Sequence, residues 1–322
     1  MRADGDQTTD GDQAADGDQT PDGYAAVIVS YRRYDLLRAC VLALQASSVP
    51  PSWIVVVDNA SDPIALGAAV DGLAGVQVIA NSGNAGYARA CNQGWRATMA
   101  PNVLFLNPDV TVGTNTLERC LEALDGDPAI GIVTARLLRE DGSLDHACHR
   151  GLPTPGAGLA YALRLDRLAP GSHRLGRYRM SWEDVTTDHD VEACSGAFML
   201  VRRSVLEAIG GWDERYWFYG EDLDLCVRTT ASGSRVRYLG STAATHIKGA
   251  SSRLRAPSSE LSPQELAHRR RLQGAIVASH RLFFRDHLAA TTNPVTRALV
   301  EAMFRLQGAR LRDRIGWSER RR

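Results

Sequence analysis

Glu221 and Asp222 stand side by side within GGWDERYWFYGEDLDLCVR, residues 210–228, directly after a run of aromatic side chains. Aromatic density of this kind usually belongs to a core, but the carboxylates of Asp213, Glu214, Glu221 and Asp222 each need a partner or water once buried. A cleft wall satisfies both demands. Leu223, Leu225, Cys226 and Val227 then lead to Arg228 and Gly233, the pattern of a short helix with its acids in the first turn. Two readings are open at this point: the pair caps a helix, or it supplies a general base aimed at a substrate hydroxyl.

Further polar residues follow apolar runs of strand type. Residues 25–29 make a first strand, and Leu36, Leu37, Cys40, Val41 and Leu44 then recur at helical spacing. Residues 54–57 are apolar without alternation, as in a parallel strand covered on both faces, and stop at Asp58-Asn59. A third strand, 76–80, ends at Asn81 and is followed by a helix over 86–99. The fourth, 103–106, ends at Asn107-Pro108-Asp109, where proline bars continued pairing in a central strand. Open α/β sheets bind ligands at the carboxyl ends of their strands, so Asp58, Asn81 and Asp109 are expected on one rim. Ser30-Tyr31-Arg32-Arg33 occupies the place of a GxGxxG loop, which sets a dinucleotide-binding dehydrogenase aside.

Beyond this rim, a helix is expected over 117–124 and a strand over 130–134. Residues 139–190, rich in Gly, Pro, His and Arg, read as an acceptor-side insertion or loop. A bent strand over 191–201 crosses the cleft floor, and a strand over 235–239 leads to His246 and a Gly, Ser and Arg loop at 249–255. Helices over 263–287 and 296–314 close the chain.

At 322 residues and 44% hydrophobic, the chain can bury a full core. Its zero net charge hides an acidic head, with seven Asp against one Arg in residues 1–22, and a basic tail, with fifteen Arg against six acids in 253–322. The DGDQ repeat of residues 1–23 reads as a disordered tail. It lacks the further bidentate acid and hydrophobic flanks of a calcium loop. Six scattered cysteines without a CxxC pair, and no secretory leader, point to reduced cytosolic thiols. No run reaches the eighteen apolar residues of a membrane span.

VIVSY at 27–31, VVVDNAS at 55–61, NSGNAGYARACNQG at 81–94, FLNPDV at 105–110, SGAFMLVRR at 195–203, the 210–228 segment and His246 carry a resemblance. In this order they are similar to the inverting family-two glycosyltransferases of the GT-A fold, in the rhamnosyltransferase-like branch. The resemblance implies an α/β fold with a Rossmann-like, mostly parallel sheet flanked by helices and a C-terminal helical extension. It implies a GT-A domain over 24–258, with a nucleotide-binding half to 135 and an acceptor half from 136, before a basic helical extension over 259–322. Asp222 matches the catalytic base, with Glu221 beside it. Ser30, Tyr31, Asp58, Asn81, Asn84, Asn107 and Asp109 are the implied donor-binding residues, Asp58 at the base. Asp109 and His246 are the implied ligands of Mg²⁺ or Mn²⁺. One carboxylate suffices there, because Mg²⁺ takes one or two protein ligands and fills its shell with phosphate oxygens and water.

The implied reaction is one in-line displacement that inverts the anomeric centre. The implied donor is a dTDP- or UDP-sugar, dTDP-rhamnose first, and the acceptor a glycan or lipid-linked hydroxyl, with a small aglycone as the alternative. Arg32 departs from the family's Asn after VSY, and Trp212 and Trp217 from its Phe or Met. A sugar nucleotidyltransferase should carry a glycine- and arginine-rich loop after the first strand, where only Arg32 and Arg33 stand. A non-catalytic carbohydrate-binding relic has no reason to keep Asp58, Asp109, Asp222 and His246 together. Arg305, Arg310, Arg312, Arg314 and Arg320 to Arg322 exceed what helix-end pairing requires. The last helix is therefore expected to touch an anionic leaflet, making the enzyme cytoplasmic and peripheral at the inner membrane face. Nucleic acid is not an expected partner, since no stacking platform accompanies these arginines.

Overall fold

The computed structural model describes residues 23–59, 62–247 and 261–319, so nearly all of the DGDQ repeat, the 249–255 loop and Arg320 to Arg322 lie outside the described residues. The strand-type runs become β1 (Tyr24–Ser30), β2 (Trp53–Asn59), β3 (Val76–Asn81) and β4 (Asn102–Leu106). They lie in the order β3-β2-β1-β4, parallel throughout. Every residue of central β1 is buried, as a strand covered on both faces requires. Helices α1 (Tyr34–Gln45), α2 (Pro63–Val70) and α3 (Tyr87–Arg96) supply the crossovers. α1 buries Leu37, Cys40, Val41 and Leu44, the residues whose spacing announces it. α3 is shorter than 86–99 at both ends: Gly86, at φ 90°, is its N-cap, and Ala97 is already its C-cap.

The second half contributes β5 (Val110–Val112), α4 (Thr116–Gly126), β6 (Ile130–Leu138), α5 (Pro155–Ala162), α6 (Leu165–Leu168), β7 (His189–Asp190), β8 (Phe198–Arg202), α7 (Arg203–Ile209), α8 (Glu221–Ala231) and β9 (Arg235–His246). The sheet continues as β8-β6-β9-β5, with β7 beside β9. β8 runs antiparallel to β4 and β6, and β9 antiparallel to β5, so the nine-stranded sheet is mixed. Helices flank it, as the GT-A expectation requires.

Three segments differ from their sequence reading. Residues 191–197 run irregularly, apart from a single bridge at Ala193, and only 198–202 form strand. The 139–190 segment is not loop throughout: Thr154 caps α5, whose Gly and Ala residues carry little periodic signal. β9 continues to His246 through a register shift opposite Ala135 and Arg136 that absorbs the residues after Leu239.

At the C-terminus, α9 (Pro263–Phe283) starts on a Ser262–Glu265 capping box, passes into a π turn over Phe284–Leu288, and is followed by α10 (Pro294–Glu319). Leu272, Phe283, Phe284, Leu288 and Phe304 are buried, so α9 packs on the sheet domain and α10 on α9. All six cysteines are buried free thiols.

Candidate active site

A cleft of about 230 Å³ opens where the strands end. Tyr31, Asn84, Asn107, Asp109, Glu221, Asp222 and His246 line it. Ser30, Asp58 and Asn81 stand at the same strand ends without lining it: Ser30 pairs in register with Asp58, and Asn59 with Asn81. The Asn81 amide is committed to Asn59 Oδ1 (2.9 Å) and Gln93 Oε1 (2.8 Å). Asp58 is fully buried, and neither carboxylate oxygen has a partner among the described residues. Burial therefore pushes its pKa up to about 6. A buried carboxylate left this way has capacity for an N–H donor that the described residues do not supply.

β5 pairs with β9 so that Val110 faces His246, which brings Asp109 beside the imidazole. His246 Nε2 lies 3.4 Å from Asp109 Oδ1, and Nδ1 lies 2.9 Å from Asp145 Oδ2. Burial acts to lower the imidazole pKa, but the two carboxylates beside it, Asp109 and Asp145, outweigh that and raise it to about 9. Asp109 Oδ1 makes no hydrogen bond of good geometry. Among the described residues no cluster of three or more His, Cys, Asp or Glu could cage a metal. An ion that keeps phosphate and water ligands would have to displace the proton that the two carboxylates hold on His246, leaving Asp109 and the imidazole as its protein ligands with Asp145 behind the ring.

Asp222 sits in the first turn of α8, whose N-cap, Gly220, has φ 88°. Its Oδ2 accepts from Arg150 Nη2 at 2.7 Å and from Gly196 N at 3.4 Å, and its Oδ1 accepts from Leu223 N at 2.8 Å. Burial works against the Arg150 cation, and Asp222 more than restores it. Glu221 is buried with Oε2 unpartnered, and its pKa is raised, by burial first and the Asp222 charge second. One guanidinium thus lies near two adjacent cleft-lining carboxylates, bonding Asp222 and acting on Glu221 through charge alone.

Backbone contacts hold the two halves of the cleft together. Trp217 Nε1 donates to Asn84 O (3.3 Å), Tyr87 N to Trp217 O (3.3 Å), and Tyr87 Oη to Gly196 O (2.6 Å). A Cβ on Gly86 would stand 2.8 Å from Trp217 O, so only glycine permits this approach. Trp212 is core, edge-on to Phe105 and Tyr87, whereas Trp217 lines the cleft. Arg32, at φ 59°, stacks over Tyr31 at 5.1 Å.

Sequence reasoning missed Arg150, Asp145 and Tyr87. The first two lie in the aperiodic 139–190 segment, where no pattern marks them. Tyr87 sits inside the NSGNAGYARACNQG motif and was within reach.

The family model "Glycosyl transferase family 2" matches residues 25–210, and "N-terminal domain of galactosyltransferase" matches 176–249. An N-acetylglucosaminyl-diphospho-decaprenol L-rhamnosyltransferase of Mycobacterium tuberculosis is 30% identical over 247 residues, covering 73% of this chain and 79% of that protein. Rhamnosyltransferase WbbL of Escherichia coli is 25% identical over 228 residues, 68% of this chain and 81% of its own. The solved structure of GalNAc-T7 with UDP, GalNAc and Mn²⁺ superposes with a TM-score of 0.55 at 14% identity, over 82% of this chain and 48% of that one. That likeness shows the fold, over about half the length of that protein. With a matching family model over more than half its length and a relative covered for most of its own, this chain belongs to glycosyl transferase family 2 and is a glycosyltransferase of the GT-A fold.

Proposed function

We propose that the chain is an inverting transferase that moves a deoxyhexose, rhamnose first, from a dTDP- or UDP-sugar to a hydroxyl of a lipid-linked glycan. The observation that carries this reading is that Asp109 and Asp222, from opposite halves of the chain, open onto one cleft. The named activities of the rhamnosyltransferase relatives support the sugar and the acceptor class. Residues 24–135 serve the donor and 136–258 the acceptor. Asp58 accepts an N–H of the pyrimidine, and Tyr31, Asn84 and Asn107 offer polar contacts to the rest of the nucleotide sugar. Asp109 and His246 would hold Mg²⁺ or Mn²⁺, which would supply positive charge beside the diphosphate leaving group. Asp222 takes the proton of the acceptor hydroxyl as that oxygen attacks the anomeric carbon from the face opposite the diphosphate. The enzyme works at the cytoplasmic membrane face, resting on it through α10.

Incubating the full chain with a panel of nucleotide sugars and a polyprenyl-diphosphate-linked GlcNAc tests the reading. Release of dTDP or UDP with an inverted product, lost on Asp109→Ala or on chelation, is expected. Consumption of a guanosine-linked donor alone, or full activity in excess chelator, overturns it.

A further inference from the structure

Three cavities run end to end along α9. The cleft shares Trp217 with a groove of about 520 Å³ lined by Arg215, Arg281, Arg285 and Leu282. That groove shares Ala278 and Arg281 with another of about 360 Å³ between α9 and α10, lined by Val277, Phe304 and Leu311 with Arg270 and Arg305. Trp217 is the partition between cleft and groove, held by Asn84 O on one side and by the Arg271 guanidinium, 5.0 Å above its ring, on the other. Gly274 and Gly308 line the far groove, and a Cβ at either would meet nothing within 4 Å. Two helix-interior glycines thus leave space open where helix propensity alone favours other residues.

Five guanidiniums line the track: Arg215, Arg270, Arg281, Arg285 and Arg305. Asp213, Asp286 and Glu301 pair with three of them, Arg215, Arg285 and Arg281. Guanidinium forks match phosphate oxygens, and an apolar trough continuing from them suits a hydrocarbon chain. A nucleotide uses only the first feature and a free sugar neither. An anionic amphiphile uses both.

We propose that this track binds the diphosphate and first isoprenyl units of a polyprenyl-diphosphate acceptor. The phosphates lie at Arg215, Arg281 and Arg285, the chain along Val277, Phe304 and Leu311, and the sugar passes Trp217 to reach Asp222. The proposal rests on the lipid-linked acceptor proposed above.

Binding is read without transfer, so its outcome is separate from that of the nucleotide-sugar panel. The full chain is titrated calorimetrically with farnesyl diphosphate. Two double variants are compared: Gly274→Leu with Gly308→Leu, which fills the trough, and Arg281→Gln with Arg285→Gln, which removes exposed cations. At least tenfold weaker binding in both is expected, with dTDP affinity and melting temperature unchanged, and with far weaker binding of farnesol or inorganic diphosphate to the wild type. Should the trough-filled variant not fold, the arginine variant decides. No binding by the wild type, equal binding by the variants, or inorganic diphosphate binding as tightly as farnesyl diphosphate overturns the proposal.

Discussion

Asp58 opposes stability to binding at a single position. Its folded pKa, pushed up to about 6 by burial, lies above the ordinary 3.8, so the folded chain holds this proton more tightly than the unfolded one. Stability contributed here is greatest at low pH and falls as pH rises from about 4 to about 6, where the buried carboxylate ionises. Asp58→Asn cannot ionise. It is expected to melt above the wild type at about pH 8 and close to it at about pH 4, while losing nucleotide affinity. Melting curves across that range check the sign, and a difference independent of pH would exclude Asp58 as its source. Asp222→Asn makes the complementary case. It preserves shape and the contact to Arg150 but not basicity, so turnover should fall by about a hundredfold or more with dTDP affinity retained. A variant with wild-type rate rules the base role out. Asp58, Asp109, Asp222 and His246 were legible in sequence because each follows an apolar run or sits in a family motif. Arg150 and Asp145 were not, because their partners, Asp222 and His246, lie far along the chain and only the fold brings them together.

Packing between elements decides where the cleft can form. α3 lies against β1 so closely that a Cβ at Gly94 would drive into the Val27 side chain, which is fully buried. Replacing a helical Gly by Ala gains about 1 kcal/mol in propensity, whereas overpacking a core costs about 1–3 kcal/mol. Val27 cannot move into solvent, so overpacking wins. Gly94→Ala is expected to lower stability by up to about 2 kcal/mol in urea unfolding, and Val27→Ala added to it should recover part of that loss. An unchanged midpoint would show that β1 and α3 separate freely. At this scale the sequence was most legible where burial is one-sided or total. β1, β2 and β4 read as apolar runs, α1 as a periodic face, and α8 as an apolar set behind first-turn acids. The three-residue β5 is too short for a period, and α5 is too poor in large side chains. The extension of β9 past Leu239 depends on a bulge that pairing with β6 creates, which local sequence does not encode.

At the scale of the whole molecule, α10 presents two unlike faces. One face carries Val300 and the buried Phe304 against α9. The other carries Val295, Leu299, Met303 and Leu306, spaced four, four and three residues apart and 71%, 67%, 43% and 61% exposed. No helix among the described residues is long and apolar enough to cross a membrane. An exposed apolar stripe beside Arg305, with Arg310, Arg312 and Arg314 further along the helix and Arg320 to Arg322 beyond it, has the composition of an interfacial helix. A second copy of the chain would bring the same arginines toward one another, whereas an anionic leaflet offers them about 1 kcal/mol each before screening. Full-length protein is therefore expected to float with anionic liposomes at low salt and to be released as salt rises, because the Debye length shrinks to about 3 Å near 1 M. Truncation at about residue 293 should abolish flotation. The truncation also uncovers Phe284, so Leu299→Glu with Met303→Glu gives a gentler loss of the same face and should reduce flotation in parallel. Equal flotation of all three proteins, or of none, would defeat the membrane contact through α10 and leave the assignment to glycosyl transferase family 2 as it stands.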